Sequence, residues 1–353
     1  MGSIHIINDA CKYTYLFFLF ALLDINLLFC ILKKKRLFVM LLKFLKNWTL
    51  PISMLMGTLG YFLFARVDWL APTKPMMFSL IGFLTPSLIF AQLLLTFCKV
   101  KPRELVPTPW HGWLLLVQSI TTLLMVGLLL TIPLSKDYES VGEGLMVCLI
   151  CPTATAAAVI TDKLGGSASS LTTYTLLSNI LAAIAVPLLF PLVEPHEGLS
   201  FIRAFLLILS KVFPLLLCPF LLACLLRTCV KPLHALLVRY SHVAFYLWAV
   251  ALAIVTGQTV RSLLHSDAPM LVQLLVAFAS LFACALQFYI GKQTGSRYND
   301  RISAGQALGQ KNTVLAIWMA YTYLTPLSSV APGTYVLWQN IFNSWQLWKK
   351  RTK

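Results

Sequence analysis

Lys311 lies near the middle of an apolar stretch, Asp300–Leu324, inside the run Gln310-Lys311-Asn312-Thr313. An ammonium that far into a membrane span is costly unless it is paired, solvated or deprotonated. Two compatible readings follow. The charge caps the electronegative carbonyl end of a half-helix, or it meets a substrate carboxylate or carries a titrating proton. A second polar cluster lies in Val141–Leu164, at Cys151-Pro152-Thr153-Ala154-Thr155. Pro152 removes a backbone donor and clashes with the preceding turn, which breaks the helix. Bare N–H and C=O groups within a bilayer persist only where protein buries them or where they line a cavity. Thr153 and Thr155 either bond their own preceding turn or face a ligand. Asn312 either satisfies the freed backbone with its amide or contacts a ligand. Gln310 and Thr313 flank the lysine, and Gln118, about two turns into the third span, is placed to reach the same point.

The elements that hold these residues are hydrophobic spans. Of 353 residues, 59% are hydrophobic and 11% charged, with mean hydropathy +0.81. Soluble domains carry about 25% charged residues, so the composition implies an all-α polytopic membrane protein. Spans are predicted at 50–65, 75–98, 110–133, 141–164 and 169–193, then at 201–226, 239–263, 269–292, 300–324 and 334–348. Residues 48–193 and 199–348 thus read as two five-helix repeats, joined by a linker at 194–198 and followed by a basic tail at 349–353. An odd number of spans per repeat inverts the second, and the fourth span of each is the broken one.

The formal charge of +16 comes from 28 Lys and Arg against 12 Asp and Glu. It is spread over short loops, so it reports topology and not nucleic-acid binding. Placing Lys43 and Lys46 in the cytoplasm also places Lys99, Lys101, Arg103, Lys163, Arg227, Lys231, Arg239, Lys292, Arg297, Arg301 and the tail there. The other side collects Arg66, Lys74, Lys136, Arg203 and Arg261. The expectation is a ten-span core with cytoplasmic ends in the plasma (bacterial inner) membrane. Residues 1–47 form an extension that carries the apolar run Tyr13–Leu32 and Lys33-Lys34-Lys35-Arg36. It is an additional helix, an uncleaved signal-like start, or a segment outside a native start at Met40.

Neither a metal centre nor a cofactor is implied. Cys148, Cys151, Cys218, Cys224 and Cys284 fall inside spans and read as small buried hydrophobes. The pair Cys148/Cys151 lacks a second Cys or His pair to complete a zinc site. No catalytic residue is predicted, because no Ser–His–Asp arrangement, His/Glu metal set or CoA-binding loop appears. Glu143, toward the outer end of its span, reads as hydrated. Trp48, Trp69, Trp110, Trp113, Trp345 and Trp348 read as interfacial anchors among the lipid headgroups.

At the two breaks the chain resembles the bile acid:sodium symporter family. The family's Cys-Pro-Gly-Gly-Thr-Ala-Ser-Asn-Val break corresponds to Cys151 through Val159, and its Glu-x-Gly-x-Gln-Asn motif to Ala307 through Asn312. The resemblance covers residues 48–348 and implies two inverted five-helix repeats, with a core domain, a panel domain and crossing broken helices. Sodium-symporting members hold one ion with side chains at the positions of Ala157, Ala158, Leu171, Thr175 and Ala307, so Thr175 alone keeps an oxygen. Their second ion uses that same acid, neighbouring backbone carbonyls and two glutamines, which correspond here to Gln118 and Lys311. The resemblance therefore implies a secondary transporter of a small organic anion, a carboxylate or sulfonate. Coupling departs from the usual sodium mode and is either protonic or absent, with Lys311 supplying the positive charge. Sodium-coupled uptake of an organic or bile acid, arsenite export and a non-transporting membrane sensor are the alternatives. The partners expected are the anion, protons and membrane lipid, and the sequence leaves the oligomeric state open.

Overall fold

The computed structural model describes residues 48–195 and 198–352. The extension at 1–47, part of the linker at 194–198 and the last residue of the tail lie outside the described residues. Ser53–Lys353 forms one compact unit, which holds the site discussed below.

Thirteen α-helices occur among the described residues. In the first half they are α1 (Thr49–Arg66), α2 (Lys74–Cys98), α3 (Pro109–Thr131), α4 (Lys136–Ile150), α5 (Ala157–Leu164) and α6 (Ala168–Val193). The second half has α7 (Phe201–Cys229), α8 (Lys231–Arg239), α9 (Val243–Leu264), α10 (Met270–Ser296), α11 (Arg301–Gly309), α12 (Thr313–Tyr323) and α13 (Val330–Arg351). Six of them, α2, α3, α6, α7, α9 and α10, are long and apolar enough to cross a membrane. The molecule is an all-α polytopic membrane protein. The broken spans appear as the pairs α4/α5 and α11/α12. Boundaries differ from expectation at three places: α4 begins at Lys136 and α13 at Val330, each earlier than expected, and Lys231–Arg239 is a separate short helix without buried residues, so that the span behind it begins at Val243.

Local chemistry explains the ends. Pro152 cannot donate, so α4 stops with Cys151 N–H bonded to Val147 O at 3.0 Å. The αL position after α5 is taken by Gly165 at φ 87°, where a side chain would be strained. Ser167 then caps α6 by accepting from Ser170 N at 3.1 Å. In α12 the cap is Asn312, whose Oδ1 accepts from Leu315 N at 3.4 Å.

Side-chain bonds gather the loops at one end. Ser169 donates to Glu104 O at 2.8 Å, Ser303 accepts from Ser167 N at 2.8 Å, Lys350 donates to Lys163 O at 3.0 Å, and Arg227 donates to Cys98 O at 3.3 Å. The opposite end is tied by Arg261 to Tyr321 OH at 3.1 Å and by Ser329 to Ser262 at 3.4 Å. Helices α10 and α11 approach closely because Gly291 and Gly295 lack side chains. A Cβ on Gly295 would lie 2.5 Å from Ala304 Cβ, and one on Gly291 would run into Ala304 O.

Candidate functional site

The two breaks meet as a short antiparallel bridge between Thr153 and Lys311. Ala154 N donates to Gln310 O and Asn312 N donates to Pro152 O, each at 2.9 Å. Each break is thus paired partly by the other, as a non-helical backbone in a membrane requires.

The carbonyls that end α4 are all met by side chains. Cys148 O accepts from Gln287 Nε2 at 3.4 Å, and Leu149 O accepts from Lys311 Nζ at 3.2 Å. Gln118 Nε2 donates to Ile150 O at 2.8 Å and to Cys151 O at 3.3 Å, while its Oε1 accepts from Tyr174 OH at 3.0 Å. At the end of α11, Thr153 Oγ1 donates to Ala307 O at 2.5 Å and Tyr335 OH to Gly309 O at 2.9 Å. The amides of the breaks are held as well: Thr153 N by Ser178 Oγ at 3.2 Å, and Lys311 N by Gln339 Oε1 at 2.9 Å. Two glutamine–tyrosine pairs take part: Gln118 Oε1 accepts from Tyr174 OH, and Gln287 Nε2 donates to Tyr335 OH at 3.2 Å.

Lys311 is 1% exposed and has no carboxylate within ion-pair distance among the described residues, where Lys101–Glu104 is the one ion pair. Its ammonium lies where helix carbonyls converge, with the thiols of Cys148, Cys151 and Cys284 within electrostatic range. The side chain therefore acts as a tethered cation on the negative end of α4. The capping arm of the sequence reading has its partner in Leu149 O.

A cavity of about 550 Å³ adjoins the crossing. It is lined by Thr155, Gln310, Lys311, Asn312 and Thr313 from the breaks, and by Gln92, Phe245, Trp248, Gln339 and Asn340 from α2, α9 and α13. Lys99, Lys101 and Lys163 belong to its wall, which places its mouth at the end of the basic loops. Gln92 Nε2 donates to Thr155 Oγ1 at 3.2 Å, joining α2 to the first break. Five of the eight residues expected from sequence thus line one cavity. Thr153, Thr175 and Gln118 do not line it and are committed inside the protein, with Thr175 Oγ1 donating to Leu171 O at 3.0 Å.

Several positions differ from their sequence reading. Glu143 is fully buried and does not sit at an exposed outer end, because α4 packs it beneath Thr325. Trp110 is 1% exposed and stacks on Tyr174, so it is a packed core residue and not an interfacial anchor; Trp113, Trp345 and Trp348 are exposed. Cys218 and Cys224 are only partly buried, whereas Cys148, Cys151 and Cys284 are buried, and all five are free. His111 is buried in the first turn of α3, where its Nδ1 accepts from Thr108 N at 2.9 Å. Gln92, Ser178, Gln287, Tyr335 and Gln339 escaped the sequence reading. Gln287 and Gln92 were detectable as amides within apolar spans, but nothing in the sequence indicates which backbone group they face.

Ala157, Leu171 and Ala307 sit together in one apolar cluster with Trp110, Leu114, Tyr174, Ala304 and Leu308, each of the three at 0% exposure. Hydrocarbon fills that point, where oxygen ligands would be needed to hold a hard cation. No group of His, Cys, Asp and Glu suited to a metal ion occurs among the described residues.

Comparison with known proteins agrees with this architecture. Residues 107–349 match the SBF-like CPA transporter family. The chain is also 26% identical over 296 residues to the "Uncharacterized sodium-dependent transporter YocS" of Bacillus subtilis (strain 168), a match covering 78% of this chain and 90% of that protein. With its crossed broken helices and a match over most of its length, this chain belongs to the SBF-like CPA transporter family, as a bile acid:sodium symporter-like multi-pass membrane protein.

Proposed function

We propose that this protein carries a small organic anion, a carboxylate or sulfonate, across the membrane by alternating access without the family's usual sodium coupling. In this reading residues 48–193 and 199–348 are inverted repeats of a ten-span core with cytoplasmic ends in the plasma (bacterial inner) membrane. The cavity opens toward the cytoplasm. The observation that carries the proposal is the Lys311 ammonium on Leu149 O, a fixed positive charge at the point where helix carbonyls would otherwise receive a cation. The packed methyl groups of Ala157 and Ala307 support it from the neighbouring position. Lys311 then either draws the anion into the cavity or exchanges a proton during the cycle, and a facilitative carrier needs only the first.

A second reading, sodium-coupled uptake, is favoured by the name of the Bacillus relative. One series separates the two. Purified protein is screened by thermal shift against carboxylates and sulfonates in sodium and in potassium, and uptake of any stabilising acid is then followed in proteoliposomes under imposed pH gradients. The proposal expects ligand stabilisation and uptake to be equal in both salts. It also expects Lys311→Gln, which restores an oxygen at that position, to become sodium-sensitive in the thermal shift. Uptake by the wild-type protein that requires sodium would overturn the proposal in favour of the second reading.

A further inference from the structure

Glu143 is the one carboxylate among the fully buried polar residues described, and nothing in the transport site uses it. It lies on α4, two turns before the carbonyl that Lys311 caps, toward the end away from the cavity. Its Oε2 accepts from Thr325 N at 3.2 Å and from Thr325 Oγ1, which also bonds Ser140 Oγ at 2.9 Å. Its Oε1 is buried with no hydrogen-bond partner. The charged groups acting on it are two further acids, Glu194 after α6 and Glu139 on its own helix. No cation reaches it from α3, α10, α12, α13 or the Pro326–Ser329 turn. A carboxylate with one bare oxygen, no counter-charge and two acids nearby carries a large desolvation cost.

The contacts around it indicate when that cost arises. The Pro326–Ser329 turn is held between α4 and α9. Gly144 packs so closely under Ser328 that a Cβ there would lie 2.8 Å from Ser328 O, while Ser329 Oγ bonds Ser262 of α9 at 3.4 Å. Farther along α9 and α13, Gly333 faces Thr259 with room for no side chain. If α9 withdraws from this end, the turn and Thr325 lose their cover and water reaches Glu143. At the cavity end the corresponding link, Ser303 Oγ to Ser167 N at 2.8 Å, uses a hydroxyl that does not ionise near neutral pH. The links at the two ends therefore differ in chemistry.

We propose that Glu143 is a proton site that fills when the end remote from the cavity is closed. The carboxylate takes a proton from water as Thr325 and the turn close over it, and returns it to water when α9 withdraws. Protonation then favours the cavity-open arrangement. The inference deepens the alternating-access reading and rests on it for the motion, but not for the proton.

The full-length protein, reconstituted in lipid without any substrate, is titrated by infrared difference spectroscopy. The carbonyl stretch of a protonated carboxylic acid is expected to disappear as the pH is raised, to be absent in Glu143→Gln and to shift in Glu143→Asp. Hydrogen exchange of residues 324–331, corrected for the intrinsic pH effect, is expected to speed up with rising pH in the wild type and to lose that response in Glu143→Gln. Lys311→Gln is expected to leave the Glu143 band in place, so a failure of the Lys311 reading is distinguishable from a failure of this one. A wild-type spectrum with no titrating carboxylic-acid band would overturn the proposal even if Glu143→Gln fails to fold. So would a band that titrates while exchange of the turn stays constant.

Discussion

At the residue scale, the site is a set of answers to four carbonyls. Ending α4 inside a membrane leaves the C=O groups of Cys148, Leu149, Ile150 and Cys151 without helical partners, and Gln287, Lys311 and Gln118 supply all the missing donors. Lipid offers no substitute for a donor that is removed. Gln118→Leu strips two carbonyls and the Tyr174 hydroxyl of their partner at once. It is expected to cost about 3 kcal/mol or more, since each of these three buried groups left unsatisfied costs roughly 1–3 kcal/mol. A fall in the thermal-unfolding midpoint in detergent checks this, and a midpoint equal to the wild type would mean that water replaces the amide. That lysine and glutamines do this work was only half legible. Their presence within apolar spans was visible, and Lys311 as a helix cap was one of two open readings. Which carbonyl each side chain meets depends on helices far apart in sequence, 32 residues for Gln118 with Ile150 and 162 for Lys311 with Leu149.

At the element scale, both breaks were readable, but for different reasons. Pro152 marks the first by covalent chemistry. The second has no proline, and polar Gln310, Lys311 and Asn312 in an apolar span are its signal. Its extended backbone is stabilised by pairing with the first break, so neither segment is stable as extended chain without the other. The contact of α11 with α10 depends on absent side chains instead. Gly291→Leu is expected to push α11 away from α10 and to destabilise the protein by about 1–3 kcal/mol or more. Gly60→Leu, with no atom near the added carbon, is expected to stay within about 0.5 kcal/mol. Folded yield on size-exclusion chromatography and the unfolding midpoint compare the pair. Equal behaviour of the two variants would contradict the close approach.

At the scale of the whole molecule, the basic loops, the ends of the broken helices and the cavity mouth come together. Lys99, Lys101 and Lys163, separate in sequence, belong to the wall of the cavity that reaches Thr155 and Gln310. An anion approaching that mouth meets a positive potential before it meets the crossing. A cysteine at Ala158, which lines this cavity, is expected to react with a membrane-impermeant maleimide added on the side of the Lys- and Arg-rich loops. It is expected to be protected from reagent added on the other side of oriented vesicles, in a background with the native cysteines replaced. Equal labelling from both sides would show a cavity open at both ends.

The sequence by itself determined the all-α membrane class and the proline break. These follow from composition, hydropathy and side-chain chemistry, which are local properties. Only the tertiary structure decided that Glu143, Trp110 and His111 are buried and that Gln92 reaches Thr155. It also decided that Thr153, Thr175 and Gln118 turn inward while Gln310 and Asn312 line the cavity. Burial and partnership are properties of surfaces brought together by packing. Between helices that are apolar on most sides, no periodicity in the sequence records which face meets which neighbour.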